Sequence, residues 1–348
     1  MTGNKGLLSV CCLGYNHAEF IENSIRAIWN ADYKNIEIIV VDDGSKDNSG
    51  EILTALQQQS PLPMTVILQD NTGKVGHNFN VALSKAKGEY VSFISLDDVL
   101  ISDAIKPCID YMNADKKCAF VAADCIQGVN GRGEPCDNVP PLKLATLSNP
   151  TVDDLLELEY SEFGAFYIQG TFFRKDIVSE VGGFDEDMTG DDLVLRTKVF
   201  RLMKNQNLSD FKIFHTPTCQ YRIHGSNIHK NHLRQIRIVS EYLERYWPDR
   251  KNCEQFVAWA MNSLTQMDKK TWSTLFGMNK RTLSLLDEDK IIALYTKQDI
   301  QEKTLLKIPY LISVVRIKNF AEHSKKMVLT VLGKKMEFNY KKKEHNHG

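Results

Sequence analysis

Apolar positions in the first hundred residues follow two alternating rhythms. Short, nearly unbroken runs (Leu7-Leu8-Ser9-Val10-Cys11-Cys12-Leu13, Ile36-Glu37-Ile38-Ile39-Val40-Val41, Met64–Leu68 and Tyr90-Val91-Ser92-Phe93-Ile94) have the length and β-branched content of buried strands. Between them lie stretches with helical spacing. Glu19–Trp29 places Phe20, Ile21, Ile25, Ile28 and Trp29 on one side, Ser49–Gln58 is a second helix, and Asn78–Lys87 is a third that Gly88 ends. Strand and helix in alternation predict an α/β fold, a mostly parallel sheet with helices on both faces.

From Cys118 the pattern is less regular. Ala119–Ala123 reads as a strand, Gly128–Pro141 as a Gly- and Pro-containing loop, and Phe163–Arg174 as an aromatic strand. Thr189 opens a helix that runs through Leu193–Met203. After about residue 235 the spacing is helical, with Trp247, Trp259 and Trp272 as packing residues. The expected division is an α/β domain over residues 1–235, with halves at about 1–100 and 101–235, followed by a helical C-terminal region over 236–348 with a basic tail.

Two of the strands end in paired carboxylates. Val40-Val41 leads into Asp42-Asp43-Gly44-Ser45, and Phe93-Ile94 leads into Ser95-Leu96-Asp97-Asp98. In an open α/β sheet, ligands bind beyond the carboxyl ends of the strands. Two acidic pairs there predict a site for a divalent cation, for hydroxyl groups, or for both. Asp97-Asp98 can hold Mg²⁺ or Mn²⁺ with positions left for phosphate oxygens, or it can be a solvated turn. Asp42-Asp43 can accept hydrogen bonds from a nucleoside, or stand at a strand-end turn beside a helix cap.

Bulk numbers restrict the setting. The 348 residues are 43% hydrophobic and 25% charged, as in ordinary globular proteins, and the net charge of −1 gives no reason to expect a nucleic-acid partner. Charge is nevertheless uneven. From Lys303 onward, eleven Lys and Arg face three Glu, a net of +8, which leaves −9 on residues 1–302. That basic end suggests an anionic membrane surface as a partner. Eight cysteines without C-x-x-C spacing argue against a zinc cage or disulfide framework and favour a reducing cytoplasm. No signal-peptide pattern precedes the first strand, and the apolar segment Ile308–Val315 is too short to span a bilayer. The expected location is cytoplasmic, with peripheral attachment at the inner membrane face.

Further along, Thr189-Gly190-Asp191-Asp192 precedes Leu193-Val194-Leu195. Carboxylates at a helix start can cap it, or one can take a proton from an attacking hydroxyl. Tyr221-Arg222-Ile223-His224 supplies a cation and an imidazole downstream, and His229 and His232 follow without a Cys at zinc-site spacing.

Taken together, Ser9-Val10, Tyr15-Asn16, the run Glu37 to Ser45, Asp47 and Ser49, Gly88-Glu89-Tyr90-Val91 and Leu96-Asp97-Asp98 resemble the nucleotide-binding half of family 2 glycosyltransferases. The likeness covers roughly residues 7–225. It implies a GT-A fold and inverting transfer of a sugar from a nucleotide diphosphate, most readily a UDP-sugar, to a hydroxyl of a saccharide acceptor. It also implies Mn²⁺ or Mg²⁺ as cofactor. Position by position, Tyr15, Asp42 and Asp43 would bind the nucleoside. Asp97 would lie near ribose and metal, and Asp98 would be the direct metal ligand. His224, with Arg222, would face the metal or diphosphate. Asp192, preceded by Asp191, would be the catalytic base. The usual setting for such chains implies a lipid-linked acceptor and bacterial surface-polysaccharide or O-antigen assembly.

Two positions depart from the family pattern. Ser95 stands where Asp is frequent, and Phe79 stands where a loop often carries Arg, leaving Lys74 or His77 to supply the positive charge. Two other readings remain: a sugar nucleotidyltransferase, and a non-catalytic glycan- or nucleotide-binding protein that keeps the fold. The first would show a Gly-rich phosphate loop after the first strand, where this chain has Gly14-Tyr15-Asn16-His17. In the tail, Lys303–Phe320 and Lys325–Phe338 mix apolar and basic residues as an amphipathic helix at a membrane interface would, or as a helical cap over the catalytic domain would. Pro309 interrupts the first of these segments.

Overall fold

The computed structural model describes residues 4–136, 139, 142–225, 231–250, 253, 255, 256, 259, 315–320, 324–331 and 334–341. The chain forms two compact units, residues 1–230 and 231–348.

The first unit is built on β1 (Asn4–Gly14), α1 (Ala18–Trp29), β2 (Ile36–Asp42), α2 (Ser49–Gln59), β3 (Met64–Leu68), α3 (Val75–Lys85) and β4 (Gly88–Ser95). These strands pair in parallel, as the alternation of strands and helices predicts. They read as continuous apolar runs because both faces are covered. On one face Leu8, Val10, Ile38 and Val40 pack with Ile21, Ile25 and Ile28 of α1. The seven-stranded sheet has the order β3-β2-β1-β4-β8-β6-β9. Here β6 is Phe120–Ala123, β8 is Phe172–Arg174 and β9 is Lys212–Phe214. Only β8 runs against its neighbours, so the carboxyl ends of the other six strands share one edge.

A second, three-stranded sheet sits at that edge, in the order β5-β10-β7, formed by Val99–Leu100, Cys219–Ile223 and Gln127–Asn130. Because β5 follows Asp97-Asp98 directly, pairing with β10 draws a segment from far along the chain to the end of β4. Helices α4 (Ser102–Ala114), α5 (Val152–Ser161), α6 (Lys175–Glu180) and α7 (Asp192–Asn205) complete the unit.

Several sequence expectations change. The third helix starts at Val75 and ends at Lys85, so Gly88 does not terminate it but opens β4. A Cβ there would lie 2.6 Å from the Leu7 carbonyl oxygen, a close approach between backbones that only glycine permits. Of the expected strand Phe163–Arg174, only its last three residues are strand; Phe163 (φ 58°), Gly164 and Gly170 turn the chain before them. The helix opened by Thr189 begins at Asp192. The loop expected over Gly128–Pro141 contributes its first residues to β7.

In the second unit, α8 (His232–Tyr246) is helical as expected. The tail is a correction: the amphipathic or capping helices expected over Lys303–Phe320 and Lys325–Phe338 give way to a three-stranded antiparallel sheet. Its strands are β11 (Val315–Phe320), β12 (Ser324–Val331) and β13 (Lys334–Lys341). The physical reason lies in the period. Val315 and Ile317, Met327 and Leu329, and Met336, Phe338 and Tyr340 recur every second residue, and the register sets Met327 opposite both Ile317 and Phe338. Residues 303–314, with Pro309, and Trp272 lie outside the described residues. Among the described residues, no helix is long and apolar enough to cross a membrane.

Candidate active site

The loops after β1 and β2 are tied to each other. Asn16 adopts φ 54° and its N–H donates to Ser45 Oγ (2.8 Å), while its Oδ1 accepts from Lys46 N–H (2.7 Å). The Ala18 N–H donates to Asp47 Oδ2 and the His17 N–H to Ser49 Oγ. These bonds account for the Asp-Asp-Gly-Ser-x-Asp-x-Ser pattern: its side chains fix the segment that carries Tyr15, which is 42% exposed. Asp42 turns back on its own loop, accepting from Ser45 N–H (2.9 Å) and Ser45 Oγ (2.5 Å). Gly44 holds φ 72°, and a Cβ there would meet Asn71 N at 2.5 Å. Beside Asp42 a cleft of about 640 Å³ opens between α2 and β3, lined by Ser45, Asp47, Glu51 and Leu68 among others.

Asp43 lies at the centre of a denser network. Its carboxylate accepts from the N–H groups of Thr72 (2.8 Å) and Gly73 (3.0 Å), from Thr72 Oγ1 (3.0 Å) and from Gln69 Nε2 (3.2 Å). The side chain expected to contact the base is therefore buried and holds the loop that leads into α3. Phe79, at the family's Arg position, points inward and stacks on Phe184 with ring centroids 5.3 Å apart. Of the two substitute cations, His77 bonds Glu186 at 2.7 Å, whereas Lys74 stands exposed ahead of α3.

At the end of β4, the two carboxylates separate. Asp97 Oδ2 lies 3.0 Å from His224 Nε2 and 3.9 Å from His17 Nε2. Burial alone would raise the Asp97 pKa, but the His224 hydrogen bond and the nearby His17 bring it down to about 2. Burial lowers the pKa of His17, with Asp97 opposing. Asp98 bonds a different partner. It is 2% exposed, and its Oδ1 accepts the backbone N–H of Arg222 at 2.9 Å. Burial and the neighbouring Asp97 raise its pKa well above the usual carboxylate range.

Asp98, expected as the direct metal ligand, anchors β10 through its Oδ1, and Asp97 is the carboxylate beside the imidazoles. Arg222, expected at the diphosphate, is buried: its Nε donates to the Asp97 carbonyl (2.8 Å) and its Nη1 to the Asn130 and Gly131 carbonyls (3.2 Å each). The guanidinium also lies 4.9 Å from the Phe20 ring centroid. It locks the small sheet under the site. His17 was not anticipated by the sequence reading, although it follows Tyr15-Asn16 in the loop that the motif already marked.

A divalent cation fits the donor set here in a limited way. Asp97 Oδ1 is buried and has no hydrogen-bond partner, and His224 adjoins the same carboxylate. No group of three or more His, Cys, Asp or Glu arranged for a metal occurs among the described residues. Mg²⁺ and Mn²⁺ suit such a sparse site because they retain waters and take phosphate oxygens.

Asp192 opens α7, and Asp191 occupies the residue before the helix without capping it through its side chain. Asp192 is about one-third exposed; its Oδ2 accepts from Arg196 Nη1 at 3.1 Å, one turn on. Arg196 is fully buried with Glu159 of α5, at 2.7 Å and 3.3 Å. Burial raises the Glu159 pKa, with the Arg196 charge opposing. Tyr167 and Tyr221 stack 5.9 Å apart, and the pKa of Tyr221 is raised by burial and then by Asp98, Asp97 and Asp192.

Comparisons with known proteins bear on the family and the fold. The profile described as Glycosyl transferase family 2 matches residues 9–182, half of the chain. The glycosyltransferase alr2836 of Nostoc sp. is 26% identical over 242 residues, covering 67% of this chain and 69% of that protein. The GalNAc(5)-diNAcBac-PP-undecaprenol beta-1,3-glucosyltransferase of Campylobacter jejuni is 27% identical over 194 residues, covering 56% of this chain and 60% of that enzyme. Across these and similar relatives, the chain spans 37% to 69% of the relative's own length. Among solved structures, S. aureus TarS 1–349 in complex with UDP-GlcNAc shares the fold, with a TM-score of 0.56 at 17% identity over 95% of this chain and 99% of that one. Profile, relatives and fold converge: the chain belongs to glycosyl transferase family 2 and has the GT-A fold.

Proposed function

We propose that this glycosyltransferase performs inverting transfer of a sugar from a nucleotide diphosphate, with UDP as the nucleotide, to a hydroxyl of a saccharide acceptor. The observation that carries the proposal is the contact of Asp97 with His224 at the end of β4, together with the partly exposed Asp192 held by Arg196 at the start of α7. The acceptor oxygen would attack the anomeric carbon and lose its proton to the Asp192 carboxylate. The bond from that carbon to the diphosphate oxygen breaks, and UDP departs with the electron pair. Asp192 suits this role because it is partly exposed and its orientation is set by Arg196. Asp97 and His224 would hold Mn²⁺ or Mg²⁺, which when bound neutralises charge on the leaving diphosphate. Tyr15 and the Asp42–Ser45 loop would flank the nucleoside, and exposed Lys74 would meet phosphate.

A lipid-linked acceptor in polysaccharide assembly is supported by the C. jejuni relative, whose name specifies an undecaprenol-linked substrate. Attachment to an anionic membrane face through the basic end is the matching proposal for location, supported by the net +8 from Lys303 onward.

Calorimetry with UDP in Mn²⁺ and in EDTA, followed by UDP release from a panel of UDP-sugars, tests the reading. Metal-dependent binding with turnover is the expected result. Metal-dependent binding without any turnover would favour a non-catalytic protein, and absence of nucleotide binding would overturn the assignment of the site.

A further inference from the structure

The least expected group in the first unit is the buried ion pair behind Asp192. Arg196 and Glu159 are 1% and 0% exposed, deeper than any role on the surface of α7 or α5 requires. A guanidinium is tolerated at such depth only with its charge matched and its N–H groups satisfied. Glu159 supplies both, accepting from Arg196 Nε and Nη2, while its Oε1 also accepts the Ala165 N–H at 2.9 Å. The space is tailored as well. The Phe166 ring lies 5.7 Å from the guanidinium carbon, and a Cβ at Gly164 would approach Arg196 Nη2 to 3.1 Å. With Nε and Nη2 held, Nη1 is left aimed at Asp192 Oδ2.

We infer that Glu159 and Arg196 are positioning residues for Asp192, an inference that rests on its assignment as the proton acceptor. Glu159 restrains the guanidinium so that it offers Asp192 one N–H and not two. Without that restraint, Arg196 would close on the carboxylate as a bidentate fork. Lone pairs that must receive the acceptor proton would then be occupied. Misplacement of a reacting group by about 1 Å can cost on the order of 100-fold in rate, so the effect belongs in turnover and leaves donor binding alone.

The test uses the full chain and UDP release from UDP-glucose or UDP-GlcNAc, whichever the donor panel shows to be turned over. Glu159→Gln keeps the acceptor for Ala165 but loses the charge; it is expected to lower kcat by about 10- to 100-fold with donor KM and UDP affinity unchanged. Arg196→Lys is expected to recover part of the kcat lost in Arg196→Met. If a single substitution prevents folding, the uncharged double variant Glu159→Gln/Arg196→Met is compared with wild type by circular dichroism and kcat. A folded double variant with full kcat overturns the inference. So does Glu159→Gln with unchanged kcat and only a lower melting temperature. Full turnover in Asp192→Asn would instead remove the base assignment, whereas an inactive Asp192→Asn beside a fully active Glu159→Gln removes only the positioning role.

Discussion

Asp97 and His224 are 127 residues apart in sequence, yet their side chains meet at 3.0 Å because β10 pairs with the strand that follows Asp97-Asp98. Asp98, its immediate neighbour, accepts the Arg222 backbone N–H. The proposed division of work is that Asp97 serves the site and Asp98 supports it. Asp97→Asn is expected to weaken Mn²⁺-dependent UDP binding by about 10-fold or more, at least what loss of a ligand's outer partner costs, and to remove the stability that the ionised carboxylate contributes at neutral pH. Asp98→Asn is expected to lower the melting temperature while UDP binding keeps its dependence on Mn²⁺. Calorimetry with and without EDTA separates the two, with thermal unfolding as the stability measure; the reverse pattern of binding would return the ligand role to Asp98.

Proton transfer is assigned to one group. Asp192→Asn retains the shape and the partner for Arg196 but cannot take a proton from a hydroxyl. Its kcat is expected to fall by roughly 10²- to 10⁴-fold with UDP affinity preserved. Single-turnover kinetics beside equilibrium binding would show this, and a loss confined to KM would contradict it.

Arg222 is a structural test case. Its guanidinium serves the carbonyls of Asp97, Asn130 and Gly131 and lies against Phe20. Arg222→Met strands buried acceptors and is expected to cost about 3 kcal/mol or more, as loss of a buried hydrogen-bonded charge does. Urea unfolding measures the cost. A stable variant that fails only to bind UDP would restore Arg222 to the donor site.

Acid stability follows from Asp97. Its folded pKa of about 2 lies below the unfolded carboxylate value of 3.8, so its ionised form favours the folded state. The contribution is full above pH about 4 and is lost as pH falls through about 2, amounting to roughly 2 kcal/mol. In Asp97→Asn the slope of unfolding free energy between pH 4 and about 2 is expected to flatten, as urea titrations at a series of pH values would record.

The parts of this fold legible in sequence were those with strong local signals. Strands β1, β2 and β4 are covered on both faces and so are apolar almost throughout; Asp42-Asp43 and Asp97-Asp98 mark their ends. The β5–β10–β7 sheet was not legible, because strands of two to five residues acquire their identity only by pairing across the chain. Glu159 and Arg196 were missed because burial of a charge shows only once its partner is beside it. Signals existed for both. Thr151 and Asp154 form a capping box ahead of Leu155, Leu156 and Leu158, which announces α5. Arg196 falls in the stripe Asp192, Val199, Phe200 and Met203, the inward face of α7. In β11, β12 and β13 the apolar positions recur two apart, and among so many Lys and Arg that period is easily confused with the spacing of an amphipathic helix.

The saturation of Asp43 changes what nucleoside recognition can mean. With its carboxylate already taken by Gln69, Thr72 and Gly73, a base that reaches it must displace a bond and not simply add one. Recognition there becomes an exchange of near-equal partners. Discrimination among nucleosides would then rest on how well each replaces what the loop gives up.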